Sequence, residues 1–277
     1  MRTIALTIFF AGIASLPAAG AAITYTTTGP DAASITAYIN AFRNDIGPLN
    51  ANVAGSFGAG RREINWDGVP DAFAAPNNLP ANFFNVNSPR GVVFGTPGTG
   101  FQVSANAVNP TSTPVRFGNL DPNYSTQFTT FSTQKLFTAL GSNITDVSFF
   151  VPGSTTPSWT NAFGAVFADV DQASVTSIQF YDLSNALLAT VFAPPADGGL
   201  SFAGIRFTAG ERIGRVRITS GSIGAGAGVL DVVGQRDVVV MDDFIYAEPA
   251  AVPEPATWTL LAGGAALLAF GRRRRRV

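Results

Sequence analysis

In RIGRVRIT, residues 212–219, the apolar Ile213, Val216 and Ile218 are interleaved with Arg212, Arg215 and Arg217. Successive side chains of a strand point to opposite faces, so this interleaving predicts a strand between a core and water. The same rhythm runs outward from it. Ile144–Val151, Phe163–Val170, Thr176–Leu183, Leu187–Phe192, Leu200–Phe207 and Val238–Ala247 are short runs rich in Val, Ile and Phe, separated by Gly, Pro and Asn. In Thr176–Leu183, Ile178 and Phe180 share one face. Strands repeating roughly every 8–12 residues, with turn residues between them, predict an antiparallel β-sandwich.

Nearer the start, Asp31–Asn44 is the one clear helix. Ile35, Tyr38, Ile39 and Phe42 fall at i, i+3, i+4 and i+7, which makes one apolar stripe. Asp31 is placed to cap it, and Gly47 and Pro48 to end it. Such an amphipathic helix is expected to cover an edge or end of the sandwich. Residues 50–123 are rich in Gly, Pro and Asn and read as long ordered loops with a few strands. They include RREINWDGVPD, Arg61–Asp71, with turn signals at Asp67-Gly68 and Pro70-Asp71, and the strand-like Phe101–Val108. Gly224, Gly226 and Gly228 do not stand between a strand and a helix, so they are not read as a nucleotide-binding loop.

Composition narrows the chemistry. The chain of 277 residues contains no His and no Cys. A histidine base, a Ser-His-Asp or Cys-His nucleophile and a Cys/His zinc site are therefore excluded. Without disulfides the core must hold the fold alone, which a chain of this length can do. Carboxylates, amides, arginines and aromatic rings remain.

Both ends read as addresses rather than fold. In residues 1–21, Arg2 precedes the apolar Ile4–Ile13, Pro17 breaks the run, and Ala19-Gly20-Ala21 offers small residues for cleavage after Ala21. That is a signal-peptide pattern. At the other end, Ala256–Phe270 carries no charge. It would span about 22 Å as a helix, short of the roughly 30 Å hydrocarbon core. Residues 256–271 are accordingly expected as a short transmembrane helix, with Arg272–Arg276 held on the cytoplasmic side and snorkelling. Removing both ends leaves 11 of the 17 basic residues and 17 of the 18 acidic ones, a net charge of −6. An acidic exported body argues against a nucleic-acid partner.

The order Val252-Pro253-Glu254-Pro255, a short apolar run, then Arg272, Arg273, Arg274, Arg275 and Arg276 resembles the PEP-CTERM sorting signal of Gram-negative bacteria that make exopolysaccharide. The resemblance implies that residues 249–277 are a sorting segment. Exosortase would cut it near Pro-Glu-Pro, after transient anchoring in the inner membrane, and deliver the protein to the cell surface or the extracellular matrix. FGAVFADVD, LSFAGIRF, RIGRVRITSG and the closing VVVMDDFIYA resemble the second half of an exported bacterial β-sandwich family. The strand ending in Asp242-Asp243-Phe244 is similar to the last strand of jelly-roll carbohydrate-binding modules. By these resemblances residues 22–248 are a jelly-roll-like sandwich with a structural or carbohydrate-binding role, exopolysaccharide the expected partner, and no catalytic residues.

Carboxylate spacing supplies the candidate sites. Asp169 and Asp171 lie two apart at a strand end, so both are expected on one face. Asp242 and Asp243 are adjacent and are expected on opposite faces. Glu63, Asn65 and Asp67 have the same period-two spacing around Trp66. The jelly-roll resemblance implies a structural Ca2+ that pairs Glu63 or Asp67 with Asp242 or Asp243. The plainer alternative is turn caps and solvated strand ends. Two carboxylates about 5–9.5 Å apart would instead suit glycoside hydrolysis, the enzymatic alternative. For sugar binding, Trp66, Trp159 and Tyr124 stand in polar, turn-rich segments and are candidate stacking platforms. Trp159, in PGSTTPSWTN, is the foremost. Phe83 and Phe84 are expected to roof the core.

Overall fold

The computed structural model describes residues 22–252. The signal segment 1–21, Pro253, Glu254, Pro255, the apolar run and Arg272 to Arg276 lie outside the described residues. In chain order the elements are β1 (Ala22–Gly29), α1 (Ala32–Ile46), β2 (Arg61–Ile64), α2 (Phe83–Val86), β3 (Val92–Gly95), β4 (Gly100–Val103), α3 (Tyr124–Gln127) and β5 (Phe137–Leu140). Then come β6 (Ile144–Phe149), β7 (Ser158–Trp159), β8 (Ala162–Val170), β9 (Ser177–Asp182), β10 (Leu187–Phe192), β11 (Ala196–Phe207), β12 (Ile213–Thr219), β13 (Val240–Ala247) and β14 (Ala250–Ala251). Each strand run expected from residue 144 onward is present, with ends shifted by up to four residues.

The fold is mostly β, and its sheets are antiparallel. The larger sheet runs β1-β11-β8-β13-β5-β4, with β2 also paired to β13. The smaller runs β10-β9-β12-β6-β3. Their facing sides share one core, in which Phe163, Phe167 and Phe244 meet Ile178, Phe180, Val216 and Ile218. In β12, Arg215 and Arg217 turn outward and bond Asp146 of the neighbouring β6, as the opening motif requires.

The middle of the larger sheet is buried on both sides, and every residue of β8 and β13 is buried. Its second face packs against α1 and the 117–136 connection: Ile35, Ile39, Phe42, Phe117, Tyr124 and Phe128 meet Val166, Phe202 and Ile245. The helix therefore lies across a face, where an edge or end position was expected. The reason is the apolar second side of β8 and β11, which needs a cover. Gly164 and Gly204 are opposed there, and the Phe202 ring lies on them. A Cβ at Gly164 would stand 2.6 Å from its Cζ. Phe42 of α1 packs on that ring at 5.4 Å. Asp31 caps α1 as expected, within a reciprocal capping box with Ser34. Among the described residues no helix is long and apolar enough to cross a membrane.

Candidate functional site

Asp242 and Asp243 do not point to opposite faces. Met241 pairs with Phe167, but Phe244 already pairs with Ala165, so β13 carries one extra residue there. This β-bulge sets both aspartates opposite Val166, toward α1. Asp242 accepts from Phe131 N at 2.7 Å and Ser132 Oγ at 2.9 Å. Asp243 accepts from Arg43 at 3.1 Å, and Arg43 also donates to both oxygens of Glu63. Arg61 holds Glu63 as well, at 2.6 Å. Asp67 turns to the backbone N–H of Lys135. Burial, then the neighbouring Asp243, holds Asp242 well above the usual carboxylate range. Burial also raises Asp243.

The structure thus brings Glu63, Asp242 and Asp243 together and leaves Asp67 on a separate task. The arrangement does not fit the calcium cage that the resemblance implied. Arginine already neutralises Glu63 and Asp243, so the cluster carries its own countercharge. Sequence reasoning missed Arg43, which organises the cluster from α1. Its place on the helix, one residue past the buried Phe42, was the available signal. It also missed the fully buried pair of Arg62 with Glu248 at 2.7 Å.

Two of the three expected platforms are core residues. Trp66 is 1% exposed, stacks on Phe137 at 4.1 Å and donates its indole N–H to Asp242 O. Tyr124 is fully buried with its hydroxyl bonded to Val229 O. In both cases a loop-borne ring folds back under its own loop, because an aromatic side chain buries more apolar area than the loop can otherwise supply. Phe83 and Phe84 roof the core as expected.

Trp159 is the surface ring. It is half-buried in β7, with the Arg212 guanidinium 4.8 Å from its centroid. It borders two depressions of about 320 and 200 Å3. Asn161, Arg206, Glu211 and Arg212 line the first; Gly58, Asn161 and Glu248 line the second. Its indole N–H is buried and has no acceptor in the protein.

The same β7 fastens the C-terminal end of the body. Ala250 and Ala251 pair with Trp159 and Ser158, and Val252 N donates to Pro157 O at 3.2 Å. The residues that follow are those of a known signal: residues 251–276 match the PEP-CTERM protein-sorting motif. The motif indicates an exported protein, processed by exosortase and sorted to the bacterial surface. No curated protein and no solved structure matches the chain.

Proposed function

We propose that exosortase releases this protein to the cell surface or exopolysaccharide matrix, where its jelly-roll-like body has a non-catalytic structural or carbohydrate-binding role. Before release, residues 256–271 hold it transiently in the inner membrane. The observation that carries the reading is the sorting motif, which begins within β14 and so continues directly from the folded body. Sugar binding is supported by Trp159. A ring beside two shallow depressions, with amide and guanidinium groups around it, suits a saccharide that stacks and hydrogen-bonds at its rim. The enzymatic alternative has less support, because the carboxylates at those depressions are Glu211 and Glu248, and Glu248 is tied to Arg62.

Mass spectrometry of protein from an exosortase-bearing host tests the sorting. The expected C-terminal peptide ends near Pro253–Pro255, and deletion of exosortase restores peptides that include Arg272–Arg276. Intact tails in matrix material of the wild-type host would overturn it. Co-sedimentation with that host's exopolysaccharide tests the body. Trp159→Ala is expected to weaken binding about tenfold, one stacked ring at roughly 1.4 kcal/mol, without changing Tm. Equal binding by the variant would remove Trp159 from the reading.

A further inference from the structure

A second acidic cluster sits at one end of the larger sheet. Asp169 and Asp171 stand at the end of β8, Asp197 near the start of β11, and Asp231 and Asp237 in the connection from β12 to β13. Carboxylate oxygens of Asp169, Asp171 and Asp231 all lie within 4.8 Å of one another.

Three of the five are fixed by hydrogen bonds. Asp169 accepts from Gln127 Nε2 at 2.6 Å and Gly198 N at 2.7 Å. Asp237 accepts from the N–H groups of Asp171 and Gln172, and Asp231 from Val238 N. Asp171 differs. Both of its oxygens are shut off from solvent, and neither accepts a hydrogen bond. Burial and then the negative charges of Asp231, Asp169, Asp197 and Asp237 push it up to about 7.

Elsewhere this chain sets arginine against several acidic side chains, Glu248 with Arg62, Asp243 with Arg43, Asp146 with Arg215 and Arg217, while the buried Asp242 is met by N–H and hydroxyl donors. Among the described residues none of these five aspartates is in a salt bridge. A buried carboxylate without a partner is costly, and an oriented group of them calls for a cation.

We propose that Asp169, Asp171 and Asp231 bind a calcium ion. The donors are all hard oxygens. Calcium holds its ligands at about 2.3–2.6 Å, so two oxygens on one ion stand at most about 5.2 Å apart, and the 4.8 Å spread fits that shell. The flexible, carboxylate-rich set suits calcium better than magnesium, which demands near-ideal octahedral geometry and keeps several of its waters. The ion ties the end of β8 to the 220–239 connection and supplies the positive charge that arginine supplies at Glu248 and Asp243.

The test is calorimetric titration of CaCl2 into the exported protein after chelator treatment, with Tm measured in parallel. One equivalent is expected, with a Kd of roughly 0.1–1 mM, as in extracellular modules. Tm should rise by about 3–6 °C at tenfold excess over Kd. Asp171→Asn should abolish both responses and leave the metal-free Tm equal or higher, since it removes an unpaired charge; it is therefore expected to fold. Asp231→Asn should weaken binding at least about tenfold, the loss of one charged ligand. No response in the wild-type protein would overturn the proposal. So would an undiminished response in Asp171→Asn, an equal response to MgCl2, or a response lost in Asp242→Asn but kept in Asp171→Asn.

Discussion

Arg62 is buried at the centre of β2, among residues that are almost all charged. Its guanidinium bonds Glu248 at 2.7 and 2.9 Å and the carbonyls of Ala51, Pro89 and Gly55 at 2.6, 3.0 and 3.1 Å. It therefore clamps three loop segments to the sheet. Arg62→Ala leaves the buried Glu248 charge with only the neutral donors Asn50 Nδ2 and Phe57 N and is expected to cost about 3–5 kcal/mol, read from urea unfolding. A loss under about 1 kcal/mol would show that water replaces the guanidinium. Asp242 makes a different prediction. Its carboxyl, facing Asp243, Ser132, the Phe131 N–H and, through Asp243, Arg43 and Glu63, is raised in the folded state. The folded protein therefore binds more protons than the unfolded chain above the ordinary carboxylate pKa of about 4. Stability should fall as pH rises through that window, by at most about 1.4 kcal/mol per unit for one proton. Asp242→Asn should flatten the slope in unfolding curves taken from pH 4.5 to 7.5.

At the scale of elements, α1 matters through one side. Phe42 is fully buried against Tyr25 and Phe202, at 5.1 and 5.4 Å, whereas Tyr38 on the same apolar stripe is 44% exposed. Phe42→Ala should cost about 3–5 kcal/mol and Tyr38→Ala under about 1, both measured by chemical denaturation. Similar losses for the two would mean that the helix is not docked by its inner face. This helix was legible because capping and a 3.6-residue stripe are local signals. Most strands from Ile144 onward were legible for the same reason, as short apolar or alternating runs between turn residues; the two-residue β7 and β14 were not. Nor was β2: RREI reads as loop, and its pairing with the distant β13, with Arg43 and Glu248 answering its charges, makes it a strand. The bulge in β13 was equally hidden, because two adjacent aspartates follow the alternation rule until an extra residue breaks the register. The aromatic candidates divided on a similar point. Sequence places a ring in a loop, but whether the loop folds over it depends on what lies beneath.

For the molecule as a whole, strand order is far from chain order. β1 pairs with β11 along its full length, Ala22 to Phe207 through Gly29 to Leu200. β13 lies inside the larger sheet, between β8 on one edge and β2 and β5 on the other. A chain stopped before Val240 is therefore expected to lack a cooperative unfolding transition in calorimetry; a normal transition would mean that β8 and β5 close without β13. With so many pairings distant in sequence, refolding should fall in the slow range of roughly milliseconds to seconds or longer. The placement of β13 also sets an order in time. A chain that crosses the membrane from its N-terminus presents β1 first, and β1 must wait for a partner about 180 residues behind it. The strand that completes the middle of the sheet emerges nearly last, just ahead of the sorting motif that begins at residue 251. The larger sheet therefore cannot shut before nearly the whole body has been supplied, whatever closes earlier in the smaller one.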